Sequence, residues 1–127
     1  MISLNPYNSI ALNAYGYSLA LQKVHLNKSE TMIRKAHAMK PGQASILDSL
    51  AWILYLKGSY EEAEKYASLA YSKDQDPEII EHYYIILLKN GNSDEAKYIL
   101  EKSIKNNPTS KKLHKLLDNK KNAAINL

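Results

Sequence analysis

Residues 46–77 read ILDSLAWILYLKGSYEEAEKYASLAYSKDQDP, and residues 79–108 read IIEHYYIILLKNGNSDEAKYILEKSIKNNP. Laid one on the other, Gly58 meets Gly91 and Ala63 meets Ala96, both at an offset of 33 residues. Each glycine closes an apolar run, and each alanine follows a pair of acidic residues. A period of this length marks stacked copies of one supersecondary unit. Residues 11–41, ALNAYGYSLALQKVHLNKSETMIRKAHAMKP, enter the same frame once the turn between helices holds one more residue. Ala36 then meets Ala70, and Pro41 stands where Pro108 stands.

Each unit reads as two helices. Leu47, Leu50, Ala51 and Leu54 recur at threes and fours, as do Ala63, Tyr66, Ala67 and Ala70. Ser59 with Glu62, and Asn27 with Glu30, have the spacing of capping boxes. Asn92 or Ser93 is placed to cap the second helix of the last unit. Asp76 before Pro77 is a cap and first-turn pair. Gly58 and Gly91 offer the left-handed residue that ends the preceding helix. No sustained period-two run competes with these helices.

These residues resemble the tetratricopeptide repeat. The mid-helix apolar and small pair is Tyr15-Gly16 and Leu50-Ala51. The early Ala of the second helix is Ala63 and Ala96, the late one Ala36 and Ala70, and the exit Pro is Pro41 and Pro108. Departures are Tyr84 for the small residue of the third unit, Ser29 for the early Ala of the first, and Ser103 for the late Ala of the third. The phrasing is most similar to C-terminal repeats of long bacterial members, many of them cell-envelope proteins. The resemblance implies an all-α, right-handed superhelical array of antiparallel helix pairs. The repeats would span 9–43, 44–76 and 77–110, followed by a capping helix over 111–120 and a frayed tail over 121–127. Asn5-Pro6 falls one unit upstream of Pro41, so 1–8 reads as the exit of an upstream repeat, and the chain as part of a longer array.

Composition narrows the function. The 127 residues are 45% hydrophobic with a net charge of +4, concentrated near the end in SKKLHKL and NKK. That is mild for a nucleic-acid binder, and the lysines of the last helix have Leu rather than stacking aromatics among them. With no cysteine, disulfides and thiolate metal sites are excluded, and bacterial cytoplasm and periplasm fit alike. No signal peptide or membrane-spanning run is visible. His25, His37, His82 and His114 lack metal spacing, and His82 beside Tyr83-Tyr84 reads as a packed helix residue. Ser49, Ser68 and Ser72 have no nucleophile elbow, and no Gly-rich phosphate loop occurs. The expectation is a non-enzymatic protein without cofactor or metal.

In the family the first helix of each pair lines a concave face. Carried onto this chain, the inward residues are Asn13, Tyr17 and Ala20, then Asp48, Trp52 and Tyr55, then Glu81, Ile85 and Leu88. Trp52 has two readings, packing against a neighbouring repeat or contacting a bound peptide. Asp48 and Glu81 stand where some members place Lys and Asn to clamp a carboxylate, and they would repel one. A protein partner with apolar side chains and a basic residue suits this face. The alternatives are the recognition arm of an enzyme whose catalytic domain lies upstream, and a structural self-assembly module. The ten tyrosines are mostly packing residues, with Tyr15, Tyr66, Tyr71 and Tyr98 expected at helix seams. Ile10, Ala14, Tyr17 and Leu21 form a second apolar stripe on the first helix, which implies weak self-association through that face.

The register makes one sharp demand. Ala63 must lie where two helices cross closely, so Ala63→Leu should destabilise the domain by about 1–3 kcal/mol in urea unfolding. A neutral substitution would show the register to be misplaced.

Overall fold

In the computed structural model, which describes residues 9–21 and 25–125, the chain folds into seven α-helices. They are α1 (Ser9–Leu21), α2 (Leu26–Met39), α3 (Ala44–Leu56), α4 (Tyr60–Lys73), α5 (Pro77–Lys89), α6 (Ser93–Asn106) and α7 (Lys111–Ile125). No strand occurs among the described residues. The Asn5-Pro6 exit and the side chains of Ala20 and Leu21 lie outside what is described. Helix α7 continues to Ile125, past the expected end at 120.

The helices form two layers. Consecutive odd-numbered helices α1, α3, α5 and α7 touch one another. Each even-numbered helix packs on its own partner and on the next odd helix, and no two even helices meet among the described residues. A layer whose members touch while the opposite layer spreads apart lies on the inside of a curve. The first helices of the pairs therefore line the concave side.

Small residues set the spacing between layers. Ala36, Ala63, Ala67, Ala70 and Ala96 are all within 1% of complete burial. Around them pack Ile33, Leu50, Ile53, Ile80, Ile86, Leu87 and Leu100. Leu113 and Leu116 of α7 close the end of this core. The substituted family positions hold in different ways. Ser29 is fully buried and its hydroxyl donates to the His25 carbonyl at 3.2 Å. Tyr84 is also buried, and its hydroxyl has no partner within hydrogen-bond reach. Tyr98 corrects the seam expectation. It is 62% exposed on the outer surface of α6, where only Lys102 reaches over its ring.

The turns after α3 and α5 are built alike. Gly58 and Gly91 have φ of 89° and 80°, a conformation that costs glycine little. Behind each, the next amide reaches back five residues: Ser59 N–H donates to the Leu54 carbonyl, and Asn92 N–H to the Leu87 carbonyl, both at 2.9 Å. That is the Schellman closure of a helix. The expected side-chain caps at Ser59 and Asn92 do not form. Their ψ angles of 68° and 55° depart from the extended backbone a cap uses, and the Asn92 side chain donates to Glu64 instead. Asp76, with ψ at 140°, does cap α5 by accepting from the Glu78 amide at 2.9 Å. The Asn27–Glu30 capping box is also absent. Left-handed His25 starts α2 ahead of Asn27, and Glu30 instead accepts from Arg34 and Lys57.

Helices α1 and α2 cross at Gly16. A Cβ there would stand 2.8 Å from Ile33 Cγ1 and 3.2 Å from the Ser29 carbonyl oxygen. Ile33 is fully buried and cannot swing aside. Gly16→Ala should therefore destabilise the domain by about 1–3 kcal/mol, outweighing the roughly 1 kcal/mol that Ala gains in helix propensity. An unchanged or raised urea midpoint would refute the close crossing.

Candidate functional site: the concave face

The inner layer carries a chain of rings and carboxylates drawn from three helices. Asp48 of α3 and His82 of α5 form its centre. His82 Nδ1 lies 2.9 and 3.0 Å from the two oxygens of the Asp48 carboxylate, and both residues are buried. Trp52, one turn along α3, stacks on the His82 ring with centroids 4.1 Å apart and planes 18° from parallel. The Trp52 ring also meets Tyr55 at 4.7 Å, and Tyr55 meets Tyr60 at 5.6 Å. Lys89 Nζ stands 5.1 Å over the Tyr60 ring. A half-buried aromatic wall thus runs along α3, anchored at one end on a buried histidine held by a carboxylate.

The end of the wall held by Asp48 and His82 is acidic. A cleft of about 330 Å³ opens between α1, α3 and the start of α5. Asn13, Tyr17, Ser45 and Asp48 line one side of it, and Asp74, Asp76 and Glu78 the other. Tyr17 crosses the groove from α1: its hydroxyl donates to Glu78 Oε1 of α5 at 2.8 Å, and its ring lies 6.3 Å from that of His82. Burial raises the Tyr17 phenol above its ordinary range, and the bond to Glu78 and the neighbouring carboxylates raise it further. Burial likewise pushes the Asp48 carboxyl up, with Glu78 and Asp76 adding to the rise and His82 opposing it.

The expected inward residues separate into three groups. Tyr17, Asp48, Trp52 and Tyr55 come together through His82. Asn13 joins them at the cleft, with its Oδ1 buried and without a hydrogen-bond partner. Glu81, Ile85 and Leu88 lie further along α5: Ile85 packs against the core, Leu88 is 40% exposed, and Glu81 accepts from Lys112 at 3.2 Å. Asp48 is buried against His82 rather than open to the groove. Lys112 reaches back from α7 to Glu81. Asp74, Asp76, Glu78 and His82 are the residues that sequence reasoning did not assign to the groove. The 33-residue frame aligns Asp48 with Glu81, and its true partner is the next residue, His82.

Comparison with known proteins agrees with this architecture. No protein-family model matches the chain. A TPR repeat-containing protein of Pseudomonas aeruginosa is 38% identical over 82 residues, a match covering 65% of this chain and 14% of that protein. The chain thus matches about a seventh of its relative's length. The crystal structure of a thermophilic TPR protein of Thermus thermophilus superposes with a TM-score of 0.76 at 18% identity, covering 87% of this chain and 62% of that one. The first TPR domain of the human RPAP3 protein gives a TM-score of 0.79 at 15% identity, covering 96% of each chain. With a period of 33 residues, small residues at the crossings and paired antiparallel helices, the chain has the all-α solenoid fold of tetratricopeptide repeat proteins and is similar in sequence to one of them.

Proposed function

We propose that the chain is a non-catalytic interaction module whose concave face binds an extended protein segment bearing apolar side chains and a Lys or Arg. Tetratricopeptide arrays are protein-interaction scaffolds. The observation that carries the reading is Trp52, a partly buried indole with one side against the core and its ring held between those of His82 and Tyr55. A rigid aromatic platform offers contact area at little entropic cost, which is why Trp and Tyr dominate binding hot spots. Asp74, Asp76 and Glu78 around the adjoining cleft supply the charge that a basic side chain would meet. A carboxylate-ended ligand would enter the same negative field and be repelled. The greater length of the Pseudomonas relative supports placing this array within a longer bacterial repeat protein.

Peptides pairing an aromatic or aliphatic residue with Lys or Arg should change Trp52 fluorescence on binding, and salt should weaken them. Trp52→Ala should weaken binding by about 2 kcal/mol or more while costing less stability than the roughly 3–5 kcal/mol of a core Trp. Peptides with acidic C-termini should not compete. Equal binding of acidic and basic peptides, or binding indifferent to Trp52→Ala, would overturn the assignment.

Ile10 supports a second reading, weak self-association through α1. It is 72% exposed on the same helix face as exposed Ala14. Sedimentation of the chain over a concentration series should show a monomer–dimer equilibrium that Ile10→Glu abolishes. A strictly monomeric chain would remove this reading and leave the peptide groove untouched.

A further inference from the structure

The centre of the concave face holds two titratable groups that form one unit. Asp48 and His82 are 6% and 4% exposed, so water supplies little of their solvation. Both carboxylate oxygens lie within 3.0 Å of a single ring nitrogen, Nδ1. With Nδ1–H donating to an ionised Asp48, the neutral ring keeps its basic lone pair on Nε2, and the pair carries one negative charge. A proton taken from solvent brings the pair to zero, whether it rests on the ring or on the carboxylate. The Trp52 indole stacks on that ring at 4.1 Å.

We propose that the Asp48–His82 pair is a built-in proton switch, taking up one proton as pH falls and changing the charge and electronic environment beneath the Trp52 platform. The surroundings favour uptake. From α5 itself come Glu78 and Glu81, from the turn before it Asp76, and from α1 the Tyr17 phenol. From α7 comes Lys112, which Glu81 holds, while Lys89 lies at the far end of the wall over Tyr60. Helices α4 and α6 meet α5 elsewhere, where Glu64 and Glu95 act on Tyr83 rather than on the pair. The acidic field therefore stabilises the protonated pair. Protonation does more than remove a negative charge. An imidazolium stacked on an indole is an electron acceptor, so the state of the pair is written into Trp52 emission. The switch is intramolecular and stands whether or not the groove binds the segment proposed above. If it does bind one, protonation weakens the hold on a basic side chain.

The test needs no ligand. Trp52 is the only tryptophan of the chain, so its emission reports on this site alone. Emission of the intact chain should fall along a single titration curve as pH is lowered across the range in which the fold persists, while far-UV circular dichroism stays constant. His82→Gln should abolish the curve, and His37→Gln should leave it in place. Emission flat across the range, or a curve that survives His82→Gln, would overturn the switch. If His82→Gln does not fold, nuclear magnetic resonance of the unaltered chain decides. The His82 ring, the Asp48 carboxyl and the Trp52 indole N–H should then shift with one common midpoint, and resonances that stay fixed or move independently would refute it.

Discussion

The closeness with which paired helices cross is the constraint on which the rest depends. Gly16 under Ile33, and the buried alanines Ala36, Ala63, Ala67, Ala70 and Ala96, let the two layers approach until backbone nearly meets side chain. Interiors packed to this density do not absorb an extra methylene without moving something. Fixing the separation of the layers fixes how each pair sets down on the next. The curve that places α1, α3 and α5 side by side follows from it. Only on such a curve can Tyr17 of α1 reach past α3 to Glu78 of α5.

The Asp48–His82 pair is a different kind of feature. Removing a carboxylate and an imidazole from water is costly, and a buried polar pair rarely repays that cost better than well-packed apolar residues would. Leu50, Ile53 and Ile86 of the same helices are buried in the apolar core. What the pair does supply is orientation. A carboxylate gripping Nδ1 fixes the plane of the His82 ring, and a fixed ring gives Trp52 a fixed surface to lie on. Expensive local order of this sort is found where a surface must be held in one shape before anything arrives to use it.

The frame was legible because it rests on residue types with few substitutes. Only Gly tolerates the left-handed turn cheaply, so Gly58 and Gly91 announced the helix ends. Only small residues fit the crossings, so Ala63 and Ala96 announced the register. The inward stripe of α3 followed from that register, and Trp52 and Tyr55 lie along it. What could not be read was the choice among several partners for one polar side chain. Glu30 and Asn92 have good capping credentials, yet Arg34 and Lys57 claim the first and Glu64 the second. The pairing of His82 with Asp48 was not legible for a related reason. Strict offsets compare like positions, whereas neighbouring helices mesh by ridges and grooves and bring unlike positions together.

The separation of α2, α4 and α6 has a mechanical consequence. Outer helices that do not touch one another, among the described residues, stiffen the array only through the inner helices on which they pack. The inner row adds direct ties between successive pairs, such as Asp48 with His82 and Tyr17 with Glu78. The array is therefore a spring whose aromatic rings sit within its elastic contacts. Anything that lodges among those rings acts on the elastic element directly, and a local contact becomes a change in curvature along the whole array.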